Sequence, residues 1–166
     1  MSIAICPGSF DPITLGHLNI IRRTSKIFDR VVVCVMNNAA KPSPMFTVEE
    51  KLDMVQRAVS RYPNVVVDCS SGLLAEYAKQ YKGAVIVKGL RAASDFEYEF
   101  QMNLINKKIN PDLETMFLTS SEKYTFLSSS VVREMARYGG DLTGLVPSEL
   151  IDEIEEKAKA WREHNG

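Results

Sequence analysis

The sequence predicts an open α/β fold in which helices cover both faces of a five-stranded parallel sheet. Five short apolar runs recur along the chain, and most are continuous and rich in β-branched residues rather than alternating. Such runs are typical of strands that are buried on both faces. Segments with a helical spacing of apolar residues separate the runs, and this alternation of strand and helix favours a parallel sheet with crossover connections.

The five predicted strands all precede a C-terminal helical segment. In chain order they cover residues 2–6, 30–36, 65–69, 84–90 and 115–120. A Rossmann-like, doubly wound sheet gives them the order 3-2-1-4-5, with strands one and four on either side of the switch point. Ligands of such sheets bind at that point, beyond the carboxyl ends of the strands.

A helical pattern follows each predicted strand. The first helix has Leu18 and Ile21 on its apolar side. The second, over residues 47–59, opens with Thr47 and Glu50 at the spacing of a capping box. The others cover residues 73–81, 94–109 and 128–138, and a C-terminal helix begins at Ser148. The apolar side of that last helix can pack either on its own sheet or on a neighbouring chain.

Composition favours a single soluble domain over residues 1–166. Hydrophobic residues make up 45% of the chain and charged residues 25%, which are ordinary values for a globular protein. The net charge of -1 argues against a broad nucleic-acid interface. No apolar run approaches the roughly 20 residues of a membrane helix, and the start MSIAICPG lacks a signal-peptide pattern. We therefore expect a cytoplasmic protein with no membrane or nucleic-acid partner, and reduced cysteines.

Polar side chains follow four of the predicted strands. In chain order they are Ser9, Thr14 and His17; then Lys41; then Lys88, Arg91 and Glu99; and finally Ser128, Ser129 and Ser130. Because the carboxyl ends of parallel strands meet at one edge of the sheet, these groups are expected to converge there. Cations, a histidine and helix N-termini at one edge predict a phosphate site.

Each of these groups also has a simpler explanation. Lys41 can be a solvated loop lysine, and the three serines can be ordinary N-caps. Lys88 and Arg91 can form ion pairs with the acidic residues at 95, 97 and 99. His17 can be a core or capping histidine. Only the convergence of all four clusters on one edge favours a binding site over these alternatives.

Several familiar motifs are missing from the sequence. Neither G-x-G-x-x-G nor G-x-x-x-x-G-K-[ST] occurs, so the usual dinucleotide and P-loop signatures are not supported. Ser9 lies in PGSFD rather than in the G-x-S-x-G of a serine nucleophile. Only His17 and His164 are histidines, and no cysteine pair has zinc spacing. We therefore expect no protein metal site, and any metal to be Mg²⁺ that arrives with a polyphosphate.

Two short segments resemble the signatures of the nucleotidyltransferase superfamily. TLGH at 14–17 resembles T/H-x-G-H, and FLSSSVVR at 126–133 resembles I-S-S-S-x-x-[RK]. Two longer segments, CPGSFDPITLGH at 6–17 and KGLRAASDFEYE at 88–99, resemble those characteristic of the bacterial phosphopantetheine adenylyltransferases. The resemblance to this family runs over nearly the whole chain.

The resemblance implies a reaction and its partners. Members of this family transfer AMP from ATP to 4'-phosphopantetheine reversibly, and the products are dephospho-coenzyme A and pyrophosphate. They require Mg²⁺, assemble as homohexamers built from two trimers, and are inhibited by coenzyme A. We expect the same of this chain.

The resemblance also assigns roles to individual residues. The catalytic residues would be His17, Lys41 and Arg91. ATP would contact Ser9, Phe10, His17, Gly89, Leu90, Arg91, Glu99, Tyr124, Thr125, Phe126, Leu127, Ser128, Ser129 and Ser130. The acceptor would contact Ser9, Lys41, Leu73 or Leu74, and Lys88. Lys88 stands where the family usually has arginine, and an ammonium group cannot form the bidentate fork of a guanidinium, so weaker or differently oriented acceptor binding is expected.

The chemistry of this reaction needs no strong general base, since the acceptor phosphate is already an anion. The obstacle is the approach of two anions, so positioning and electrostatic stabilisation should dominate, with in-line attack and no covalent intermediate. Two alternatives stay open on the sequence. One is the same chemistry with another acceptor, such as nicotinate mononucleotide or glycerol 3-phosphate; the other is a non-catalytic ATP-binding sensor.

Overall fold

A computed structural model describes residues 1–37 and 43–165 of the chain. Five parallel strands form one sheet in the order β3-β2-β1-β4-β5, which confirms the predicted topology. The strands are β1 Ile3–Gly8, β2 Arg30–Met36, β3 Val65–Ser70, β4 Val85–Leu90 and β5 Glu114–Thr119. Each lies within two residues of its predicted position at both ends, because β-branched runs bounded by turn residues define strands well.

The helices are α1 Leu15–Ser25, α2 Val48–Val59, α3 Leu74–Ala78, α4 Ala93–Ile109, α5 Ser129–Arg137 and α6 Ile151–Asn165. The capping box of α2 is confirmed: the Thr47 N–H donates to Glu50, and the Glu50 N–H donates to Thr47 Oγ1. Helix α3 is shorter than predicted, since the chain turns away after Ala78. A short 3₁₀ helix at Ser148–Leu150 leads directly into α6.

Helices cover both faces of the sheet, as predicted. On one face, α1, α2, α5 and α6 pack on the side chains of Ala4, Cys6, Val31, Val33 and Val35. On the other face, α3 and the end of α4 pack on Ile5, Val32, Cys34 and Ile86. Residues 31–35 of β2 are therefore buried on both faces of the sheet, and each buried valine contributes about 1.5–3 kcal/mol of hydrophobic stabilisation.

The apolar side of α6 packs on its own chain. Ile154 and Ala158 are fully buried in the same cluster as Val132 and Ala136 of α5. This contact resolves the choice that the sequence left open for these positions of the last helix. No helix within the described residues is long and apolar enough to cross a membrane.

The centre of the sheet opens at its carboxyl edge. Strands β1 and β4 pair only at Ala4 with Val85 and at Ile5 with Ile86, whereas both strands continue for three or four residues beyond these pairs. The loops that follow them thus diverge at the switch point. Ile20 of α1 packs beside Gly89 at this opening, where a Cβ on residue 89 would lie 3.0 Å from Ile20 Cγ1.

Candidate active site

The start of α1 is fixed by a reciprocal capping box. Thr14 is the N-cap, and its Oγ1 accepts a hydrogen bond of 3.2 Å from the backbone N–H of His17. The Nδ1 atom of His17 accepts one of 3.0 Å from the Thr14 N–H. The predicted site histidine is therefore also a capping residue, in the position that glutamate or glutamine usually takes.

These contacts determine the charge and tautomer of His17. Burial, and then the nearby charge of Arg91, lower the pKa of His17 from 6.5 to about 4, so the imidazole is neutral at pH 7. Because Nδ1 accepts from Thr14, the single ring proton belongs on Nε2. The side chain is half-buried. It can offer a neutral N–H donor at the N-terminus of a helix, where backbone N–H groups and the helix dipole favour an anion.

Phe10 holds the His17 ring from the side. The ring of Phe10 is buried and meets the imidazole edge-on, with 5.1 Å between ring centroids. Its backbone has a φ of 45°, a conformation uncommon for a residue with a side chain. A Cβ at Gly8 would lie 3.0 Å from the Phe10 ring, so the glycine leaves room for this packing.

Asp11 joins two loops that carry predicted site residues. Its carboxylate is buried and accepts backbone hydrogen bonds from Met45 and Phe46, at 3.0 and 2.9 Å. The segment that precedes α2 is thereby attached to the loop after β1. Sequence reasoning missed Asp11, although it stands in the quoted segment CPGSFDPITLGH. Lys41, predicted as catalytic and acceptor-binding, lies outside the described residues.

The serine-rich segment is attached to the same loop. Ser128 caps α5 by accepting from the Val131 N–H at 3.2 Å, which is the simpler role that the sequence left open. Ser129 donates to the Pro12 carbonyl at 2.7 Å, and Ser130 accepts from Arg133 at 3.2 Å. All three hydroxyls are thus engaged within the chain.

Arg133 connects the two signatures directly. Its Nη1 donates to the Asp11 carbonyl at 2.7 Å and lies 3.6 Å from the Asp11 carboxylate. The arginine ends the FLSSSVVR segment, so the motif itself was the signal that could have identified it. Because Arg133 contacts both the carbonyl and the carboxylate of Asp11, it fixes the N-terminus of α5 relative to the loop that leads into α1.

Lys88, near the end of β4, and Arg91, directly after it, both form ion pairs with residues of α4. Lys88 donates to Glu99 at 2.6 Å, and both side chains are largely buried. Arg91 pairs with Asp95 at 3.1 Å and donates from Nη1 to the Leu127 carbonyl at 3.0 Å. These are the pairings that the sequence left open as an alternative. Arg91 also links this loop to the segment before α5.

The remaining predicted residues lie around these loops. Leu127 is buried, whereas Phe126 is 64% exposed beside Thr125 and the short 3₁₀ helix that ends at Tyr124. Ser9 follows β1 directly, and Gly89 and Leu90 end β4. Of the two leucines at the start of α3, Leu73 is 62% exposed, while Leu74 packs against the second core cluster. Leu73 is therefore the one with a surface for a ligand.

Within the part of the chain that the structure describes, no three His, Cys, Asp or Glu side chains are grouped so that they could hold a metal ion. The nearby carboxylates of Asp95 and Glu99 are paired with cations. This arrangement is compatible with a Mg²⁺ ion that takes most of its ligands from water and from the phosphate oxygens of a nucleotide, as this ion commonly does.

Comparisons with known proteins identify the family. Residues 5–135 match the family model described as cytidylyltransferase-like. A protein of Vibrio parahaemolyticus assigned as a nicotinate-nucleotide adenylyltransferase has a similar fold, with a TM-score of 0.68, 20% identity, and coverage of 95% of this chain and 96% of that one.

A bifunctional NMN adenylyltransferase/ADP ribose pyrophosphatase of Francisella tularensis, solved with AMP and a manganese ion, matches with a TM-score of 0.67 and 13% identity. That match covers 99% of this chain and 52% of the other. At such low identities the structures support the fold, whereas the family model spans most of the chain. The chain belongs to the cytidylyltransferase-like family of nucleotidyltransferases.

Proposed function

We propose that this nucleotidyltransferase transfers AMP from ATP to 4'-phosphopantetheine, giving dephospho-coenzyme A and pyrophosphate. The observation that carries the proposal is the neutral, capped His17 at the N-terminus of α1. It lies at the switch point, near Arg91, which links the loop after β4 to the segment before α5. The choice of acceptor rests on the resemblance of residues 88–99 to the phosphopantetheine adenylyltransferases.

His17 would act as a hydrogen-bond donor and not as a cation or a base. Its Nε2–H would bind a non-bridging oxygen of the α-phosphate and strengthen as negative charge builds there. The backbone N–H groups at the start of α1 face the same region. Donors arranged in advance for a developing charge are among the largest contributions to catalysis.

Lys88 and Arg91 would exchange their carboxylate partners for phosphate groups. Glu99 and Asp95 keep both cations oriented. Arg91 would then contact ATP, while Lys88 would face the acceptor phosphate. Lys41 is proposed for the same acceptor. Mg²⁺ bound with ATP would supply further neutralisation of the polyphosphate charge.

The reaction would proceed in one displacement. An oxygen of the acceptor phosphate attacks the α-phosphorus, the P–O bond to the β-phosphate breaks, and pyrophosphate leaves with the bond electrons. Neither Ser128 nor Ser129 is suited to act as a nucleophile, since each hydroxyl is held by backbone groups. Positioning of the two anions would carry the rate.

A second acceptor class is favoured by a specific observation. The Vibrio and Francisella proteins with similar folds are named as nicotinate-nucleotide and NMN adenylyltransferases. The same site geometry would serve a mononucleotide acceptor, because the α-phosphate chemistry is unchanged. The choice between 4'-phosphopantetheine and a mononucleotide would depend on the environment of Lys88 and Leu73, on the acceptor side of the proposed site.

Self-association as a homohexamer of two trimers, and inhibition by coenzyme A, are part of the same proposal. Helix α4 supports the association, because Phe96, Phe100 and Leu104 expose about half of their surfaces along one side. Met116 of the edge strand β5 is also exposed. Contiguous exposed apolar residues of this kind commonly mark protein interfaces.

An acceptor panel tests the proposal. ATP and Mg²⁺ are incubated with 4'-phosphopantetheine, nicotinate mononucleotide, NMN or glycerol 3-phosphate, and the adenylylated product and pyrophosphate are quantified together by mass spectrometry. Stoichiometric dephospho-coenzyme A and pyrophosphate are expected from the first acceptor alone. Product from another acceptor would reassign the specificity, and ATP binding without pyrophosphate from any acceptor would favour the sensor.

A further inference from the structure

A groove of about 590 Å³ lies between α5 and α6. Its walls include Arg133, Arg137 and Arg162, the carboxylate of Glu134, and the aromatic rings of Tyr138 and Trp161. Its volume falls in the range of small-molecule sites, which is roughly 300–1,000 Å³. Ser130, which is proposed to contact ATP, also lines the groove, and Arg133 contacts Asp11. The proposed transfer reaction uses none of the other lining residues.

The groove carries an excess of positive charge. Among the described residues, three guanidinium groups share it with one carboxylate, and Arg133 is already paired with Asp11. Among residues 1–37 and 43–165, neither Arg137 nor Arg162 has an acidic side chain within ion-pair distance. Unneutralised guanidinium groups in one groove repel each other, so an anion bound between them lowers the free energy of the arrangement.

Arg137 is oriented in a way that leaves its donors available. Its Cζ atom lies over the Trp161 ring, 4.3 Å from the ring centroid. A guanidinium group can offer its N–H groups for planar, bidentate binding of a phosphate. The Nε atom is buried and has no hydrogen-bond partner in the described chain. An unsatisfied buried donor is a second, independent sign of a missing acceptor.

Arg162 contributes from the opposite wall. Its Nη1 donates to the carbonyls of Ala136 and Arg137, at 2.6 and 3.1 Å. These bonds fasten α6 to the last turn of α5 and hold the guanidinium in place. The other nitrogens of Arg162 make no hydrogen bond within the described residues, so they can serve an anion held by Arg137.

We propose that this groove is a second anion site, which binds a small phosphate-bearing molecule between Arg137 and Arg162. The groove is much larger than one phosphate group needs, and the exposed Tyr138 ring offers a surface for an organic part. The site is independent of the proposed transfer reaction, since it would bind its ligand whether or not the protein is an adenylyltransferase.

Trp161 provides the readout, because it is the only tryptophan in the chain and lies directly under Arg137. Its emission is followed as inorganic pyrophosphate or AMP is added to the full-length protein, in the absence of other substrates. A saturable change in emission is expected. Tighter binding of AMP would identify a nucleotide as the source of the phosphate, and equal or tighter binding of pyrophosphate would identify an inorganic one.

Variants separate this groove from the nucleotide site. Arg137→Gln removes the charge and the fork, so the Kd of the better probe should rise by about tenfold or more, as expected for loss of a charge-assisted hydrogen bond. Arg137→Lys keeps the charge alone and should give a smaller rise; it carries the test if the glutamine variant does not fold. His17→Gln is the control and should leave the Kd unchanged.

Two results would overturn the proposal. One is the lack of a saturable change of Trp161 emission with either probe up to millimolar concentration. The other is an equal Kd in the parent protein and in a folded Arg137 variant. Neither result bears on adenylyl transfer, because the titration requires no turnover, and failure of the transfer reaction would leave the expected titration unchanged.

Discussion

His17 is assigned two tasks, and a pair of substitutions can separate them. The imidazole caps α1 by accepting from the Thr14 N–H at 3.0 Å, and its Nε2–H is proposed to bind the α-phosphate. Replacement by alanine removes both interactions. Replacement by glutamine keeps an acceptor at the position where a capping box normally has one, and removes the imidazole.

The expected magnitudes differ for the two tasks. Loss of the capping hydrogen bond in His17→Ala should cost about 1 kcal/mol of unfolding free energy, which lowers the Tm of a chain of this size by roughly 2–4 °C. Loss of a donor to the developing charge should lower kcat by about 10²–10³. For His17→Glu, which keeps the capping acceptor and has no donor at neutral pH, we therefore expect a Tm close to that of the parent and a kcat at least as low as that of the alanine variant.

Thermal unfolding and initial rates of pyrophosphate release measure the two effects on the same samples. His17→Gln serves as a further variant, since it also completes the capping box but keeps amide N–H donors, so its kcat should lie between those of the parent and of His17→Glu. If His17→Glu retained nearly the parent kcat while His17→Ala were merely less stable, His17 would be a capping residue only. That result would refute the assignment of a role in the chemistry.

Four further predictions follow from the same contacts. The pKa of His17 is about 4 in the folded protein and 6.5 in the unfolded one, so the unfolded state binds the proton more readily. The free energy of unfolding should therefore fall by up to about 3 kcal/mol as the pH drops from 6.5 towards 4. Urea unfolding should show no such contribution in His17→Gln, and an equal pH dependence in both proteins would contradict the assignment. Asp11→Asn should lower the unfolding free energy by about 1–3 kcal/mol, because one backbone N–H and Arg133 lose an anionic partner. The control Asp112→Asn, at an exposed position, should change it by less than about 0.5 kcal/mol. Equal effects of the two substitutions would contradict a stabilising role for the contacts of Asp11 with the segment before α2. Lys88→Arg should lower the KM for 4'-phosphopantetheine in steady-state assays, and an unchanged or higher KM would reject a phosphate role for this position. Phe100→Glu should reduce the mass measured by light scattering, while Ile27→Glu, at another exposed apolar position, should not; a parent that is already monomeric would exclude the hexamer.

Much of the fold was predictable because its signals are local. The five central residues of the run RVVVCVM are buried, and a continuous apolar run of this kind is typical of a central parallel strand. The spacing of Thr47 and Glu50 predicted a capping box at the start of α2, and both of its hydrogen bonds are present. Where the pattern was weaker, at the short helix α3, the predicted length was wrong.

The site was less predictable because its contacts connect distant parts of the chain. Asp11 and Arg133 are 122 positions apart, and no local pattern shows that they meet. The motif TLGH was recognised, but the capping role of His17 depends on where the helix begins. The pairing of Lys88 with Glu99 was one of several combinations that the spacing allowed, and only the helical geometry of α4 selects it.

The reverse reaction is the most direct test of the central claim. The protein is supplied with pyrophosphate, Mg²⁺ and dephospho-coenzyme A, and the formation of ATP is followed with luciferase. The account predicts ATP and 4'-phosphopantetheine in equal amounts, with a rate about 10²–10³ lower in His17→Ala. ATP from nicotinate adenine dinucleotide but not from dephospho-coenzyme A, or no ATP from either, would contradict it.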